Sequence, residues 1–545
     1  MTPTSTAKSS NKGAIPSFVK KAVVIASLGG ILFGYDLGVI SGALPQLKNE
    51  FDLSESQQEM IVSFLFLGGA VGSTVGGTLC DTTGRKNAIF ITDILFIIGA
   101  VALFTAQSFI QIIYGRILVG FAVAVSGIAD VAYLHEISPV EWRGAIVSVN
   151  EACISLGFLV SYFAGYGISQ VNDKDGWRYM FVAGSFIAIF QLIGMAFMPE
   201  SPVWLKDKGR FVEAKIVLAR ISGSSSDDLD FVDVHHDNGT NYHRDDAVED
   251  YGLDQRDIDE RPPMQNSSES SQPEYYSTPE EGNSTLNVRQ VDEQSEEETD
   301  ANVMQKFRSS YRQVIIAIFL SVMQQFCGHP NILNFAPEIF AQVGVPSLFS
   351  TLLLGVLKFV TTCIVIWKIE QFGRRSLLLL GLSIITVSLL LLTIAFAFEG
   401  EDGDLPMATK FIAIIGIFGV AGGYACSFGP LTWLLVSELF PSSIRGRALG
   451  GSTITSYCAG AIVSYSFLSV QTTFGPSAPF TIYFILTLLS IGFAYVAIPD
   501  TAGKDPDSIQ LELEERWSWR RRGESFQQCK DDDPKHLQIQ SNKIV

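Results

Sequence analysis

Two charged motifs of the same form occur in the first and second halves of this sequence. Glu136 precedes Arg143 in the stretch EISPVEWRG, and Glu438 precedes Arg445 in the stretch ELFPSSIRG, each time with a spacing of 7 residues. A carboxylate and the planar guanidinium group of arginine form strong, often bidentate hydrogen bonds. These residue types therefore predict ion pairs that can be made and broken, rather than a group that forms covalent bonds.

Other charged positions are doubled in the same order. The matching sets are Asp81, Gly84 and Arg85 with Glu370, Gly373 and Arg374, and, less closely, Pro199, Glu200 and Ser201 with Pro499, Asp500 and Thr501. The offsets between the copies are 289, 302 and 300 residues. A repeat of this length in a constant direction indicates two homologous halves.

Long apolar segments must position these motifs. Charged residues make up 17% of the chain, below the ~25% typical of soluble domains, and apolar segments of roughly 20 residues are long enough to cross a bilayer. The sequence predicts an all-α membrane protein with twelve transmembrane helices in two pseudo-symmetric six-helix halves. The predicted spans are Lys21–Leu47, Met60–Cys80, Ala88–Thr105, Phe109–Tyr133, Ala145–Gly167, Tyr179–Met198, Val314–Phe340, Leu348–Trp367, Leu377–Phe398, Phe411–Val436, Leu449–Val470 and Phe480–Ile498.

Basic residues near the predicted helix ends set the orientation. Lysines and arginines cluster on the side that carries the doubled motifs, which is therefore expected to face the cytoplasm together with both termini. The predicted organisation is a cytoplasmic N-terminal tail, an N-terminal half, a cytoplasmic linker with a disordered acidic insert, a C-terminal half and a cytoplasmic C-terminal tail. Their ranges are 1–20, 21–205, 206–312, 313–500 and 501–545.

The acidity of the chain belongs to one segment. Between Ser226 and Asp300 there are 23 acidic and 4 basic residues, whereas the whole chain has a net charge of −18. Such a segment buries too little apolar surface to offset the entropy of ordering it. Its Asn-X-Ser/Thr sequons at Asn238, Asn266 and Asn283 have two interpretations, chance in a polar run or glycosylation, and glycosylation would invert the topology.

Several function classes are excluded by the residues available. The cysteines are scattered through apolar segments, and neither they nor the 6 histidines have the spacing of a metal site. No nucleotide-binding loop, catalytic set or nucleic-acid patch occurs. We therefore expect no enzyme, no cofactor, no metal and no nucleic-acid partner, but a lipid bilayer around the helices.

The doubled charges have two interpretations. Carboxylates and guanidinium groups that pair across the two halves would form a cytoplasmic gate, closing the inner face in one state and releasing it in another. The alternative is a fixed structural charge set, and the matched spacing favours the gate. The gate residues expected are Asp81, Arg85, Glu136, Arg143, Glu200, Glu370, Arg374, Glu438 and Arg445.

These motifs resemble the sugar porter family of the major facilitator superfamily. Further matching pieces are Gly34–Asp36, Gly115-Arg116, Tyr133–Glu136, Pro199–Pro202, Gln324-Gln325 and Gly429–Trp433. Within the family, Gly328–Leu333, Asn150-Glu151 and Lys358 resemble the animal class III facilitative glucose transporters of the type 10 and type 12 branch. The resemblance implies alternating access, in which two six-helix halves rock around a sugar site at the middle of the membrane.

The resemblance also implies a set of sugar ligands. Gln324 and Gln325 match the two glutamines of the seventh helix, whose amides can both donate to and accept from sugar hydroxyls. Trp433 matches the tryptophan of the tenth helix that packs on the sugar ring, and core packing is the alternative for this side chain.

Three positions depart from the family pattern. Glu151 stands where the family has a glutamine, Lys358 where it has an asparagine, and Pro330 where it has another asparagine, with Asn331 one residue later. Lone charges in the middle of a membrane are costly. We therefore expect a Glu151–Lys358 salt bridge across the site, with the alternative that each charge faces water.

Asp36 is a further acid within an apolar segment. Proton-coupled family members carry this aspartate near the arginine of the fourth helix, here Arg116, and protonation of Asp36 would release Arg116 and permit rocking. Bacterial proton-coupled relatives add a carboxylate on the sixth helix, where this chain has Gly184. Proton coupling and coupling-free transport both remain open.

The expected function is a secondary carrier that moves a glucose-like hexose by alternating access, either facilitative or proton-coupled. The alternatives are a carrier for a polyol such as myo-inositol or for dehydroascorbate, and a non-transporting sugar receptor of the same fold. The doubled gate favours transport, since a fixed sensor has no need to alternate. We favour the plasma membrane over an endomembrane as the location.

Overall fold

The structure is a computed structural model. It describes residues 15–139, 142–172, 174–222, 305, 307–398, 405–501, 504 and 508–513. The predicted insert between Ser226 and Asp300, with its three sequons, lies outside these residues, as do most of the two tails.

The N-terminal half consists of six spans followed by two shorter helices. The spans are α1 Ser17–Ala26 with α2 Leu28–Phe51, then α3 Glu55–Thr83, α4 Arg85–Phe104, α5 Phe109–Ile137, α6 Arg143–Val171 and α7 Gly176–Ala196. Helices α2 and α6 pack together, as do α3 and α5, and α7 packs on α2 and α4. The first helix begins at Ser17 rather than at Lys21, directly after Pro16, whose extended backbone starts the helix.

The C-terminal half repeats this plan. Its helices are α10 Tyr311–Phe326, α11 His329–Asn334, α12 Ala336–Val343, α13 Ser347–Phe372, α14 Arg374–Ala397, α15 Met407–Cys426, α16 Phe428–Leu439, α17 Ser442–Phe474 and α18 Ala478–Ala497. Eleven described helical segments are long and apolar enough to cross a membrane. The twelfth, the seventh in chain order, is split into α10, α11 and α12, so the prediction of twelve spans in two halves is confirmed.

Three of the described spans are interrupted, the seventh and the tenth near their middle and the first nearer its start. The first breaks at Ser27, the seventh at Cys327 and Gly328, and the tenth at Ser427. Gly328 has a φ of 77°, which glycine adopts without strain. A break frees backbone polar groups, and in a membrane such groups are tolerated only where protein or a polar site surrounds them.

The two halves meet along two equivalent helix pairs, α3 with α17 and α6 with α13. Within each half, small residues allow closer approach. A Cβ atom at Gly34 would lie 1.9 Å from the Ile154 carbonyl oxygen, and one at Gly120 would lie 2.0 Å from that of Leu65. Larger residues at either position would force the helices apart, which explains the glycine content of these spans.

The N-terminal half extends beyond its predicted end at residue 205. Helix α9 Phe211–Ser222 lies inside the range expected to be linker and packs on α1, and helix α8 Pro202–Asp207 runs across the predicted boundary. Trp204, Leu205 and Ala214 share a buried cluster with Val19 of α1. The prediction missed this because both helices are too short to resemble membrane spans, and their apolar faces cover the end of the bundle instead.

The doubled glycines form matching turns. Gly84 joins α3 to α4 with φ 99° and ψ 159°, and Gly373 joins α13 to α14 with φ 76° and ψ 152°. The space beside Gly84 is filled by the Glu200 carboxylate, and Asp500 lies next to Gly373. The repeat found in the sequence is therefore a repeat of local structure.

A pair of glycine substitutions tests this turn. Gly475 has nearly the same backbone as Gly84, with φ 98° and ψ 161°, but no heavy atom lies within 4 Å of a Cβ placed there. At Gly84 that Cβ would lie 2.3 Å from Glu200 Oε2. Both Gly84→Ala and Gly475→Ala introduce strain of about 1–2 kcal/mol, but only Gly84→Ala also displaces a buried contact.

We expect Gly84→Ala to lower the melting temperature of the purified protein clearly more than Gly475→Ala. Equal losses in the two variants would mean that the Glu200 contact contributes nothing to stability.

Candidate functional site

The charged motif of the N-terminal half forms one connected cluster. Arg85 Nε lies 3.0 Å from Glu136 Oε2, and Arg85 Nη1 lies 3.1 Å from Asp81 Oδ1. The Ser201 hydroxyl donates to Glu136. The cluster joins the end of α3, the start of α4, the end of α5 and the segment before α8. We call this end of the bundle the motif end.

The C-terminal half builds the same cluster. Arg374 Nη2 lies 3.3 Å from Glu438 Oε1, and the Thr501 hydroxyl donates to Glu438 Oε2. Arg374, Glu438 and Thr501 therefore stand as Arg85, Glu136 and Ser201 do. The looser sequence match of Ser201 with Thr501 corresponds to the same hydrogen bond.

The recorded contacts of the expected gate run within each half. Glu200 accepts from the backbone N–H of Lys86, and Arg445 Nε donates to the Phe440 carbonyl. The seven gate residues with described side chains (Asp81, Arg85, Glu136, Glu200, Arg374, Glu438 and Arg445) make no recorded contact with the other half. The side chains of Arg143 and Glu370 lie outside the described part.

Among the described side chains, pairing across the halves is not seen in this conformation, because Arg85 and Arg374 each already have a carboxylate at a neighbouring helix end of their own half. Each cluster ties together the helix ends of one half, which suits a half that moves as a rigid unit.

The opposite end of the bundle has a polar contact between the halves. Ser469 of α17 donates from its backbone N–H to Glu59 Oε1 at 2.8 Å and from its hydroxyl to Glu59 Oε2 at 2.6 Å. Glu59 is fully buried, near the start of α3. We call this pair the outer latch. It holds the bundle together at the end opposite the motifs.

The two glutamines of the seventh span lie in a hydrogen-bonded group. Gln324 Nε2 lies 3.2 Å from the Tyr424 hydroxyl and 3.3 Å from the Phe428 carbonyl. Gln325 Nε2 donates to the Ser456 hydroxyl at 2.8 Å, and the same hydroxyl reaches Gln324 Oε1. The Gln325 amide oxygen is buried without a partner, so it remains able to accept from a bound hydroxyl.

The other two uncharged ligands expected in the C-terminal half, Asn331 and Trp433, are placed differently. Asn331 is fully buried, and its amide donates to the Val463 carbonyl and to the Tyr483 hydroxyl at 2.9 and 2.7 Å. A sugar contact by Asn331 stays a prediction that requires these bonds to break. Trp433 is partly exposed on α16, as a ring that receives a ligand must be.

Lys358 and Glu151 face each other across the junction of the halves without touching. The Lys358 ammonium nitrogen lies 3.4 Å from the centre of the Phe158 ring. The Lys358 ammonium nitrogen lies more than 4.0 Å from both carboxylate oxygens of Glu151. The two groups are still close enough to interact electrostatically. The expected salt bridge is thus absent in this conformation, because a cation–π contact with Phe158 holds Lys358 instead.

One turn from Lys358, a direct hydrogen bond joins the halves. The hydroxyl groups of Ser155 on α6 and Thr362 on α13 lie 3.0 Å apart. Glu151 and Lys358 are each one helical turn away on the same two helices, so the pair sits where the halves touch.

An aromatic stack borders this group. The rings of His329 and Tyr424 are parallel, with centres 3.4 Å apart, and Nε2 of His329 is buried without a partner. Tyr424 also contacts Gln324 through its hydroxyl and lies 5.8 Å from Lys358 Nζ. The stack therefore links the glutamines to the charged pair.

Asp36 and Arg116 are neighbours, as expected. Arg116 is buried, and its guanidinium group donates to the backbone carbonyls of Ile61 at 3.1 Å and Asp36 at 3.5 Å. The Asp36 Oδ2 atom is buried without a partner. A Cβ at Gly184 would lie 3.8 Å from Asp36 Oδ1, so a carboxylate on the sixth span would stand directly beside this acid.

Sequence reasoning missed several of these residues. Phe158, Tyr424 and Ser456 gave no signal, since aromatic and hydroxyl side chains are common in apolar helices. Asp93 and Asp130 are fully buried acids in α4 and α5. The rule that singled out Asp36, an acid inside an apolar run, would have found them too.

Comparison with known proteins places this geometry in context. Residues 22–245 and 275–513 match the family model described as "Sugar (and other) transporter". The chain is 29% identical to "Solute carrier family 2, facilitated glucose transporter member 10" of Danio rerio, over 90% of this chain and 92% of that protein. It is 30% identical to the "Galactose-proton symporter" of Escherichia coli K12, over 90% and 93%.

The fold comparison agrees. The inward open conformation of the xylose transporter XylE from E. coli matches with a TM-score of 0.66 and 25% identity, over 91% of this chain and 99% of that one. The expected likeness to the sugar porter fold and to the type 10 glucose transporter is confirmed.

Proposed function

Because this chain belongs to the family of sugar (and other) transporters, we propose that it is a multi-pass membrane carrier that moves a glucose-like hexose by alternating access. The observation that carries the proposal is the polar group at the breaks of the seventh and tenth spans, where Gln324 and Gln325 lie between two homologous halves. Amides there can replace the water that hydrates sugar hydroxyls.

The arrangement supports alternation between two states. The halves are joined at one end by the outer latch, while each motif cluster closes on its own half. Rocking that breaks the latch would open the site at the latch end. A receptor without transport would need neither a breakable contact nor duplicated rigid clusters, so this alternative is not favoured.

Sugar ligands follow from the same geometry. The Gln325 amide oxygen has an open acceptor position, and Trp433 offers a partly exposed ring on the neighbouring span. An aromatic ring packs well on the apolar face of a pyranose. Named relatives act on the hexoses glucose and galactose or on the pentose xylose. All three are aldoses, which favours an aldose over myo-inositol or dehydroascorbate, and the two relatives found by sequence favour a hexose.

The orientation and location are part of the proposal. The motif end carries Arg85, Arg374 and Arg445 in addition to the basic residues after α7, so we place it and both termini in the cytoplasm. The plasma membrane is favoured over an endomembrane.

The proposed function is tested by reconstitution. Purified protein in proteoliposomes should take up a hexose and exchange it for internal hexose, whereas myo-inositol and dehydroascorbate should not compete. Gln325→Ala should weaken sugar binding. The matched control is Gln342→Ala, which replaces an exposed glutamine on the same span and should leave sugar binding unchanged. Binding of sugar without any exchange would identify a receptor and reject the carrier.

Proton coupling makes a separate prediction. Asp36 is buried beside Arg116 without a carboxylate–guanidinium contact, so the gain or loss of one proton there changes the net charge of a buried pair. Asp36→Asn should abolish sugar accumulation driven by an inward proton gradient and retain exchange at equal pH. Gradient-driven uptake that survives in Asp36→Asn would remove Asp36 from the coupling mechanism.

A further inference from the structure

Two fully buried carboxylates lie in the N-terminal half, away from the sugar ligands. Asp93 stands 8 residues after the start of α4, and Asp130 stands 7 residues before the end of α5. At 1.5 Å per residue, both lie roughly 10–12 Å inside the motif end. Helices α4 and α5 pack together, and the two carboxylates interact electrostatically.

The neighbours of this pair are neutral. The Ser126 hydroxyl donates to Asp130 Oδ2 at 2.5 Å, and Gln191 Nε2 of α7 donates to Asp130 Oδ1 at 3.0 Å. Gln191 is fully buried, and its amide oxygen has no partner. Both oxygens of Asp93 are also buried without a partner, although α4 packs directly on α7.

The described cations nearby are engaged elsewhere. Arg85 pairs with Asp81 and Glu136, and the Lys86 ammonium group donates to the Ala196 carbonyl. Besides Arg143, whose side chain lies outside the described part, the elements packed against the pair carry the following further titratable groups on their motif-end halves: Lys20, Lys21, Tyr35, Asp36, Cys80, Tyr133, His135, Glu151, Cys153, Lys206 and Asp207. Of these, the Cys80 thiol interacts electrostatically with Asp130, and a neutral thiol cannot balance a carboxylate.

Two unbalanced negative charges in a buried, low-dielectric site are costly. All three unpartnered atoms, the two Asp93 oxygens and the Gln191 amide oxygen, are acceptors. A proton on Asp93 removes one charge and converts one acceptor into a donor. A proton is therefore the ligand that both reduces the unbalanced negative charge and supplies the missing hydrogen-bond donor.

Asp130 also lies against α2, the helix that carries Asp36. A Cβ at Gly29 would lie 1.9 Å from Asp130 Oδ2, so Asp130 presses on α2 directly after the break at Ser27. The same helix carries Asp36 two turns further on. The charge of the pair can therefore act on the helix that holds the other buried acid.

We propose that Asp93 and Asp130, with Gln191, form a second proton-binding site between Asp36 and the motif end. The pair holds one exchangeable proton, which passes from the carboxylic acid to water at the motif end, leaving a carboxylate behind. Its part in coupling rests on the proposed carrier function, whereas proton binding itself does not.

Infrared difference spectroscopy of the purified full chain, titrated with pH in the absence of sugar, tests the site. A carboxylic acid C=O band that disappears as pH rises should be present in the natural protein and lost in Asp93→Asn and Asp130→Asn. Asp207→Asn, an exposed acid on α8, is the matched control and should keep the band. A band unchanged in both pair variants overturns the proposal.

Two further measurements keep the test decisive. If Asp93→Asn and Asp130→Asn fail to fold, Gln191→Leu is the substitute test. It removes the amide that donates to Asp130, so the carboxylic acid band should shift in frequency. A band that stays at the same frequency counts against the site. A band that responds to Na⁺ at constant pH would assign a metal cation instead and overturn the proton. If the natural protein shows no sugar exchange, the carrier function fails while the infrared titration still reports on the proton site.

Discussion

Replacing either Glu151 or Lys358 alone should destabilise the protein strongly, and replacing both should restore most of the loss. Lys358 is buried on α13 and Glu151 is half-buried on α6, where the halves meet. Removing one partner of a buried charge pair leaves the other uncompensated, which typically costs about 3–5 kcal/mol. Glu151→Gln with Lys358→Asn recreates the neutral pattern that the family resemblance implies.

The contact of Lys358 with Phe158 refines this expectation. Because the ammonium group lies over a ring 3.4 Å away, part of its stabilisation does not depend on Glu151. We therefore expect Glu151→Gln to be the milder single variant and Lys358→Asn the more severe one. Adding Phe158→Leu to Glu151→Gln should lower the stability further, since it removes the aromatic ring that remains in contact with the Lys358 ammonium group.

A double-mutant cycle on melting temperature and on sugar exchange measures the coupling. Lys368→Asn, which replaces a partly exposed lysine bonded to Gln371 on the same helix, is the matched control and should change little. Additive single and double variants would show that the two charges do not influence each other.

The sequence predicted much of the fold because the determining signals are local or repeated. Apolar length marks a span, and duplicated motifs such as those at Gly84 and Gly373 fix the order of the halves. The same signals failed at α8 and α9, whose burial depends on a surface formed by distant helices. The break at Gly328 was equally invisible, since positive φ is a property of the backbone.

The site was predicted at the level of residue types but not of partners. Gln324, Gln325 and Asp36 lie where polar groups were expected, yet Asn331 bonds to Tyr483 and Lys358 to an aromatic ring. Partner choice depends on the relative height and rotation of helices, to which a single sequence gives no direct access. The same reason applies to Arg85 and Arg374, which pair within their own halves in this conformation, while the gate across the halves stays a prediction.

The outer latch yields the last prediction. Glu59→Ala should shift the conformational equilibrium away from the state described here, because it removes two hydrogen bonds to a buried carboxylate. Bonds to charged groups contribute about 1.5–3 kcal/mol each. A net loss of about 2–3 kcal/mol changes the ratio of closed to open states by roughly 30- to 150-fold. Glu59→Gln keeps an acceptor and should have a smaller effect.

Spin labels on cysteines introduced at Ser56 and Thr473, both exposed near the latch, report the separation of α3 and α17. Their distance distribution should widen in Glu59→Ala and in Ser469→Ala. Gln471→Ala, which breaks a bond to Gln342 within one half, is the matched control and should leave the distribution unchanged. A distribution that stays narrow in Glu59→Ala would mean that other contacts, such as the packing of α3 on α17, close this end without the latch.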